Sequence, residues 1–144
     1  MAAGLAGAEA FDRTSIDRCP TGPGAYYLVI TLGAPLALTI PRFAGRCLGT
    51  GLYVYAGSAR GPGGLRARLG RHLRTQKTHR WHVDHLTADA IDVRALAVPD
   101  ARECDLLTRL LATDLGFNVP LCGFGASDCR TCPAHLLQWT PNGR

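Results

Sequence analysis

The chain has 144 residues, of which 47% are hydrophobic and 19% charged, and its net charge is +5. That length predicts one domain with one substantial core, and the hydrophobic content argues against bulk disorder. No apolar run approaches the roughly 18 residues that span a bilayer, so no membrane partner is expected.

The N-terminus is rich in Ala and Gly but has no basic leader, and Glu9 and Asp12 interrupt it. A secretory signal is therefore rejected, residues 1–20 are expected to be loosely ordered, and residues 21–144 form the domain. Ala25 to Leu32 reads AYYLVITL, a strand composition. Gly33-Ala34-Pro35 signals a turn, and Leu36 to Ile40 is predicted to return as the second arm of a hairpin. A loop over Arg42 to Gly49 leads to a short third strand, Gly51 to Ala56, and then to a glycine-rich loop, Gly57 to Gly64.

From Leu65 the period becomes helical. Leu65, Leu69, His72 and Leu73 share one face, with Arg66, Arg71 and Arg74 elsewhere on the surface. His79 to Leu86 is predicted as a short helix or ordered turn, and Ile91 to Val98 as a further strand. A helix follows from Pro99-Asp100 to about Leu115, with Leu106, Leu107, Leu110 and Leu111 as its apolar stripe. The tail is loop-rich, with a last strand over His135 to Trp139. These elements predict an α+β fold: a small, mainly antiparallel three-stranded central sheet flanked by helices.

Charge is unevenly distributed. No Asp or Glu occurs between Asp17 and Asp84, while Arg18, Arg42, Arg46, Arg60, Arg66, Arg68, Arg71, Arg74, Lys77 and Arg80 fall in that stretch. A preference for Arg over Lys follows from a GC-rich genome, but the missing acids do not. Such a one-signed region attracts polyanions, and nucleic acid is the expected partner. The six cysteines lack a secretory context, so reduced thiols and a cytoplasmic location are expected.

Several residues are fit for chemistry. Arg68 and His72 are four apart and so neighbours on one helix face, with His72 inside the apolar stripe. Standing alone, His72 reads as a satisfied core histidine. Asp100-x-x-Glu103 has capping-box spacing, which would tie Glu103 to the backbone. Glu103 also shares a face with Leu106, Leu107 and Leu110, which aims the carboxylate inward, where a cation such as Mg²⁺ would suit it. Tyr26 and Tyr55 are good strand residues that could simply pack. The alternations Tyr26/Leu28/Ile30 and Tyr53/Tyr55 allow both to face one side. Cys129-x-x-Cys132-x-x-His135 offers three soft ligands, with Cys122 or Cys104 as a fourth. No second paired knuckle is present, which weighs against zinc and for a C-terminal flap over the site.

Gly24-Ala25-Tyr26 and Tyr55-Ala56-Gly57, about 30 residues apart and followed by Leu65, Arg68, His72 and Glu103, resemble the GIY-YIG nuclease superfamily. That superfamily includes an excision-repair nuclease and several homing and restriction enzymes. The span from Gly24 to Leu137 resembles a narrower group, a standalone GIY-YIG-like domain of unknown function sometimes fused to an endonuclease III-type glycosylase. The carrying segments are YVYAGSARGPGGLRARLGRHLR, His79 to Leu86, Glu103-Cys104 and Gly123 to Cys129. Ala25 and Ala56 replace the central Ile of each name motif, and Ser58 stands where many relatives have Lys. Asn118, or else Ser127 or Asp128, matches a family Asn.

The resemblance implies a metal-dependent endonuclease, with DNA favoured, acting in repair or processing. It implies one Mg²⁺ or Mn²⁺ on Glu103 that polarises the scissile phosphate. Arg68 would neutralise developing charge. Tyr26, assisted by His72 and with its pKa lowered by nearby cations, would orient or deprotonate the attacking water. Tyr55 would position a phosphate oxygen or share the base role. Gly57, Ser58, Arg60, Arg71, Arg74, His82, Ser127 and Asp128 are the expected substrate contacts, with the glycines letting backbone approach nucleic acid and Asp84 as a further contact or support. Two rivals are a non-catalytic nucleic-acid-binding module on the same fold and a zinc-stabilised interaction domain. So small a domain suggests a protein partner that supplies specificity.

Overall fold

Two tyrosine-bearing segments form the centre of the molecule. In the computed structural model, which describes residues 9–74, 76–125 and 131–140, strands β2 (Gly24–Leu32) and β5 (Gly51–Ala59) pair antiparallel along their whole nine-residue lengths. Strand β6 (Asp92–Pro99) takes the other edge of β2, also antiparallel. The short strands β1 (Glu9–Phe11), β8 (Leu136–Trp139) and β7 (Phe117–Asn118) extend this core into a six-stranded sheet of order β1-β6-β2-β5-β8-β7. All of its pairings are antiparallel.

The sheet thus has six strands where three were expected, with β2, β5 and β6 as its long middle. Strand β8 lies within the expected last strand, while β1 and β7 have three and two residues, too few for an alternation to mark them. The N-terminal segment holds β1, whose Phe11 is buried. Residues 20 and 22 accept the first helical N–H groups of Arg66 and Leu65 through their carbonyls.

The predicted hairpin from β2 does not form. Residues Leu36–Ala37 (β3) pair instead with Cys47–Leu48 (β4) in a separate two-stranded ribbon. Both edges of β2 are occupied, by β5 and β6, so no hydrogen-bonding edge is left for a returning arm. Strand β5 also runs three residues beyond the predicted end and absorbs Gly57, Ser58 and Ala59.

The sheet separates two apolar layers. Helix α1 (Gly64–Leu73) and helix α2 (Asp84–Asp89) pack on one face, where Tyr26, Leu28, Ile30, Tyr53 and Tyr55 meet Leu65, Leu69, Leu73, Val83 and Leu86. Helix α3 (Glu103–Leu111) packs on the other, where Ala25, Tyr27, Val54 and Ala56 meet Leu106, Leu107 and Leu110. The period of two along β2 makes this division, and it sends Tyr26 and Tyr27 to opposite faces.

Helix α3 is shorter than predicted, because β6 continues through Pro99 and Asp100 turns at a φ of 61°. Arg102 is still extended, and no side chain caps the helix, so the predicted capping box is absent and Glu103 is left available. Helix α2 begins later than predicted, after a turn held by the Asp84 carboxylate, which accepts the N–H groups of Arg80 and Trp81 at 2.8 and 2.9 Å. Among the described residues no helix is long and apolar enough to cross a membrane.

Candidate functional site

Strand β8 pairs with β5 only as far as Tyr55. Beside the stretch of β5 beyond that point lies a pocket of about 390 Å³. Tyr26, Tyr55, Ser58, Arg68, Arg80, Trp81, His82, Glu103, Gly125 and His135 line it. These residues come from β2, β5, α1, the turn before α2, the start of α3 and the segment leading to β8.

Tyr26 lies opposite Gly57 in the register, and Tyr55 lies opposite Leu28, so the two phenols are diagonal neighbours on one face. Their ring centroids are 6.4 Å apart. A Cβ on Gly57 would run into the Tyr26 phenol. Gly57 is therefore required by the close approach of Tyr26 across the pair, and not by an approach of nucleic acid to its backbone, because it is buried. Gly125, at φ +72°, performs the same service for the Tyr55 ring, 2.7 Å from where its Cβ would stand.

His72 sits behind Tyr26 and not in the pocket lining. It is 1% exposed, and its Nε2 is 2.7 Å from the Tyr26 hydroxyl. Burial first, with Lys77, Arg71 and Arg68 adding to it, lowers its pKa to about 3 against the opposing pull of Asp84. The ring is thus neutral. Its Nδ1 has no hydrogen-bond partner among the described residues and faces Asp84 Oδ1 at 3.9 Å. The carboxylate favours the proton on Nδ1, which makes Nε2 the acceptor of the Tyr26 O–H.

Asp84 is fully buried and tied down. Arg71 clamps it through two parallel contacts of 3.0 and 2.9 Å. Burial alone pushes this carboxyl up, but the Arg71 pair and the amides of Trp81 and Arg80 outweigh it and hold its pKa at about 2. Arg71 is therefore committed to protein, with a further bond to the Thr78 carbonyl, and it does not line the main pocket.

Arg68 donates to the Ser58 carbonyl at 3.1 Å and lies over the Trp81 ring at 4.5 Å. Arg71 and Arg80 also approach that ring, at 4.3 and 5.7 Å. Trp81 thus gathers three guanidiniums at one wall, each contact worth about 0.5–1 kcal/mol at an exposed site. A smaller cleft of about 150 Å³ adjoins the pocket and shares Arg68, Arg80 and Trp81 with it.

The tyrosines differ from expectation in their acidity. Burial raises the Tyr26 pKa well above its ordinary value, helped by Tyr55, and Arg68 does not reverse this. Burial and then Glu103 likewise raise Tyr55. Cations lower a phenol pKa only where desolvation is smaller than their pull, and here the rings are inside the core. Both phenols are protonated at rest.

Glu103 brings the one carboxylate to the described pocket lining. Among the described residues only His135 comes within ion-pair range, Nδ1 to Oε2 at 3.8 Å. His82 lines the pocket and accepts the Gly125 N–H on Nδ1 at 2.9 Å. Arg60 is exposed and donates to the Ala101 carbonyl, near the start of α3. Arg74 lines a different cleft, with Asp12 and Ile91, and Asn118 sits on the edge strand β7. Neither reaches the pocket. Ser127, Asp128 and Cys129 lie outside the described residues. Sequence reasoning passed over Arg80 and Trp81 as site residues; an Arg-Trp pair at the end of the acid-free stretch was the available signal.

On the far side of His135, Cys104, Cys132 and His135 have ligand atoms within 4.8 Å of one another, and this group could hold a metal ion. Cys104, expected as a possible fourth ligand, is one of the three, and Cys129 lies outside the described residues. Cys19, Cys47 and Cys122 are free thiols. Residues 25–143 match the family model described as "Domain of unknown function DUF123". No curated protein and no solved structure matches the chain.

Proposed function

We propose that this chain, which belongs to the DUF123 family, is a metal-dependent phosphodiesterase of GIY-YIG type that cleaves nucleic acid, with DNA favoured. The observation that carries the reading is the convergence of Tyr26, Tyr55, Arg68 and Glu103, from four separate elements, on one pocket. His72 stands directly behind Tyr26. A chain folding for stability alone has no need to gather two phenols, a guanidinium and a carboxylate around a single opening.

The donor set fits a hard divalent ion. Glu103 is partly exposed at the opening, and Mg²⁺ or Mn²⁺ takes one or two carboxylates and completes its shell with phosphate oxygens and water. Such an ion supplies Lewis-acid polarisation of the phosphate when bound. The other roles belong to side chains. Tyr26 donates a hydrogen bond to His72 Nε2 and keeps its proton, so its oxygen, held beside Arg68, serves as an acceptor that orients a water O–H. Arg68, fixed by Ser58 and Trp81, presents its remaining donors to phosphoryl oxygens without reorganising. Tyr55 offers a second hydroxyl to the phosphate. Arg80 and the adjoining cleft extend the cationic wall along the path of a strand.

A second reading is favoured by one observation. Burial keeps both phenols protonated, which suits a module that binds nucleic acid without cutting it. Incubation of the protein with single-stranded, duplex and branched DNA and with RNA separates the two, with and without Mg²⁺ or Mn²⁺ and with Glu103→Gln in parallel. Metal-dependent cleavage that Glu103→Gln abolishes is the expected result. Tight, salt-sensitive binding by both proteins with no cleavage would replace the nuclease reading with the binding module.

A further inference from the structure

The second face of His135 carries chemistry that a phosphodiesterase pocket does not use. His135 is 4% exposed, and its backbone is fixed on both sides: its N–H donates to the Phe124 carbonyl at 2.8 Å, and its carbonyl accepts the Ala56 N–H at 2.9 Å. The main chain is thus held in place, and the two ring nitrogens face different partners. Nδ1 looks toward Glu103 at 3.8 Å, and Nε2 looks toward Cys104 Sγ at 3.9 Å. Cys132 completes a triangle of donors, all within 4.8 Å. Two separated segments supply these atoms: the first turn of α3 gives Cys104, and the segment leading into β8 gives Cys132 and His135.

We propose that Cys104, Cys132 and His135 bind one zinc ion. The donor set selects the metal, because two thiolates and an imidazole are soft ligands that favour Zn²⁺ over Mg²⁺ or Ca²⁺. The spacing fits as well. Zinc–sulfur bonds of about 2.3 Å and zinc–nitrogen bonds of about 2.0–2.1 Å in a tetrahedron put ligand atoms roughly 3.6 Å apart. The observed Cys104–His135 separation is 3.9 Å and the others are within 4.8 Å, so closure on an ion draws the donors together by about 1 Å or less. Three protein ligands leave the fourth position to water or a further donor. His135 bound through Nε2 keeps its proton on Nδ1, aimed at Glu103, which is the carboxylate–histidine–metal arrangement that fixes a ligand's tautomer and ring plane. The ion would therefore sit next to the phosphodiester pocket and brace one of its walls. The site stands independently of the proposed activity, because its ligands and its test involve no substrate.

Metal content decides the matter. The full chain is purified without chelator, dialysed against Zn²⁺ and then against metal-free buffer, and analysed by plasma mass spectrometry. A parallel sample is loaded with Co²⁺ and its absorption recorded. The expected result is one zinc per chain and an intense near-ultraviolet thiolate-to-cobalt band. Cys104→Ser and Cys132→Ser each remove the band, while Cys47→Ser, at an exposed thiol elsewhere, leaves it intact. The wild-type measurement stands even where a ligand variant does not fold. A folded wild-type chain that retains no zinc and gives no cobalt band overturns the proposal. So does zinc binding that persists in both folded ligand variants.

Discussion

Tyr26 and Tyr27 are neighbours on one strand, equally buried, yet they belong to opposite faces of the sheet. Tyr27 points to the α3 layer, where its hydroxyl donates to the Leu106 carbonyl at 2.9 Å among Ala25, Val54, Ala56, Leu107 and Leu110. Tyr26 points to the α1 layer, where its hydroxyl meets the neutral His72, which in turn faces the buried Asp84. Around Tyr27 the layer surrounds a satisfied hydroxyl with apolar side chains. The other buries a histidine with an unpartnered nitrogen and an ion pair, both of which cost stability relative to an apolar filling. The fold thus gives up stability on the face that carries Tyr26 and Tyr55 into the pocket.

The largest effect that separates the layers is expected from Tyr26→Phe. Removing a group that orients or relays protons costs about 10²–10⁴-fold in rate. Single-turnover cleavage kinetics read this, and stability should also fall by about 1–3 kcal/mol, because His72 Nε2 is left as a buried acceptor without its O–H. Leu107→Ala on the opposite face should affect stability alone. Leu107 is 1% exposed, and truncating a buried leucine costs about 2–5 kcal/mol of folding stability. The rate per folded molecule should stay unchanged. Equal loss of rate in the two variants would erase the distinction between the faces.

Much of this division was legible in the sequence. The alternation of AYYLVITL allowed Tyr26 and Tyr55 to share a face, and the helical spacing of Leu65, Leu69, His72 and Leu73 buried the histidine, because both follow from fixed backbone periods. Of the outer strands β8 was legible, whereas β1, β7 and the pairing of β3 with β4 were not. Those four are two or three residues long, and their pairing depends on which sheet edges remain free, a tertiary fact. At the site, the reading as substrate contacts of Arg71 and Arg74, alike by sequence, had no local test. Only the fold shows that Arg71 is consumed by Asp84 while Arg74 faces another cleft. The tyrosine acidities were equally out of reach, since desolvation is set by how completely the layer closes over the rings.

A pH titration of stability sharpens the comparison, since the titratable burial lies on the pocket face. His72 falls from 6.5 in the unfolded chain to about 3 in the folded one, chiefly through burial. Between those values the unfolded chain binds a proton that the folded chain refuses, so stability falls as pH falls, by at most about 1.4 kcal/mol per unit. Asp84 acts in the same direction over a lower window. Its folded value of about 2 lies below the ordinary 3.8, so its contribution is full above that value and is lost as pH drops toward 2. Urea midpoints measured from pH 7 to 3 should therefore decline steadily. His72→Gln should flatten the curve between pH 6.5 and 3, and an unchanged slope would mean that His72 is not the buried neutral group described above.

The smallest expected effect is the most direct test of the two tyrosines. Tyr27→Phe removes one buried hydrogen bond, worth about 0.5–1.5 kcal/mol. The cost should sit at the low end, because the Leu106 carbonyl lies within α3 and keeps its helical partner four residues on, so no acceptor is stranded. Denaturant unfolding measures the loss, and cleavage by the variant should match the wild type. Tyr26→Phe and Tyr27→Phe remove the same atom from adjacent residues of one strand. A catalytic defect in the first alone would place the chemistry on one face of the sheet by a single-atom difference, whereas similar defects in both would mean that the strand, and not the pocket, had been disturbed.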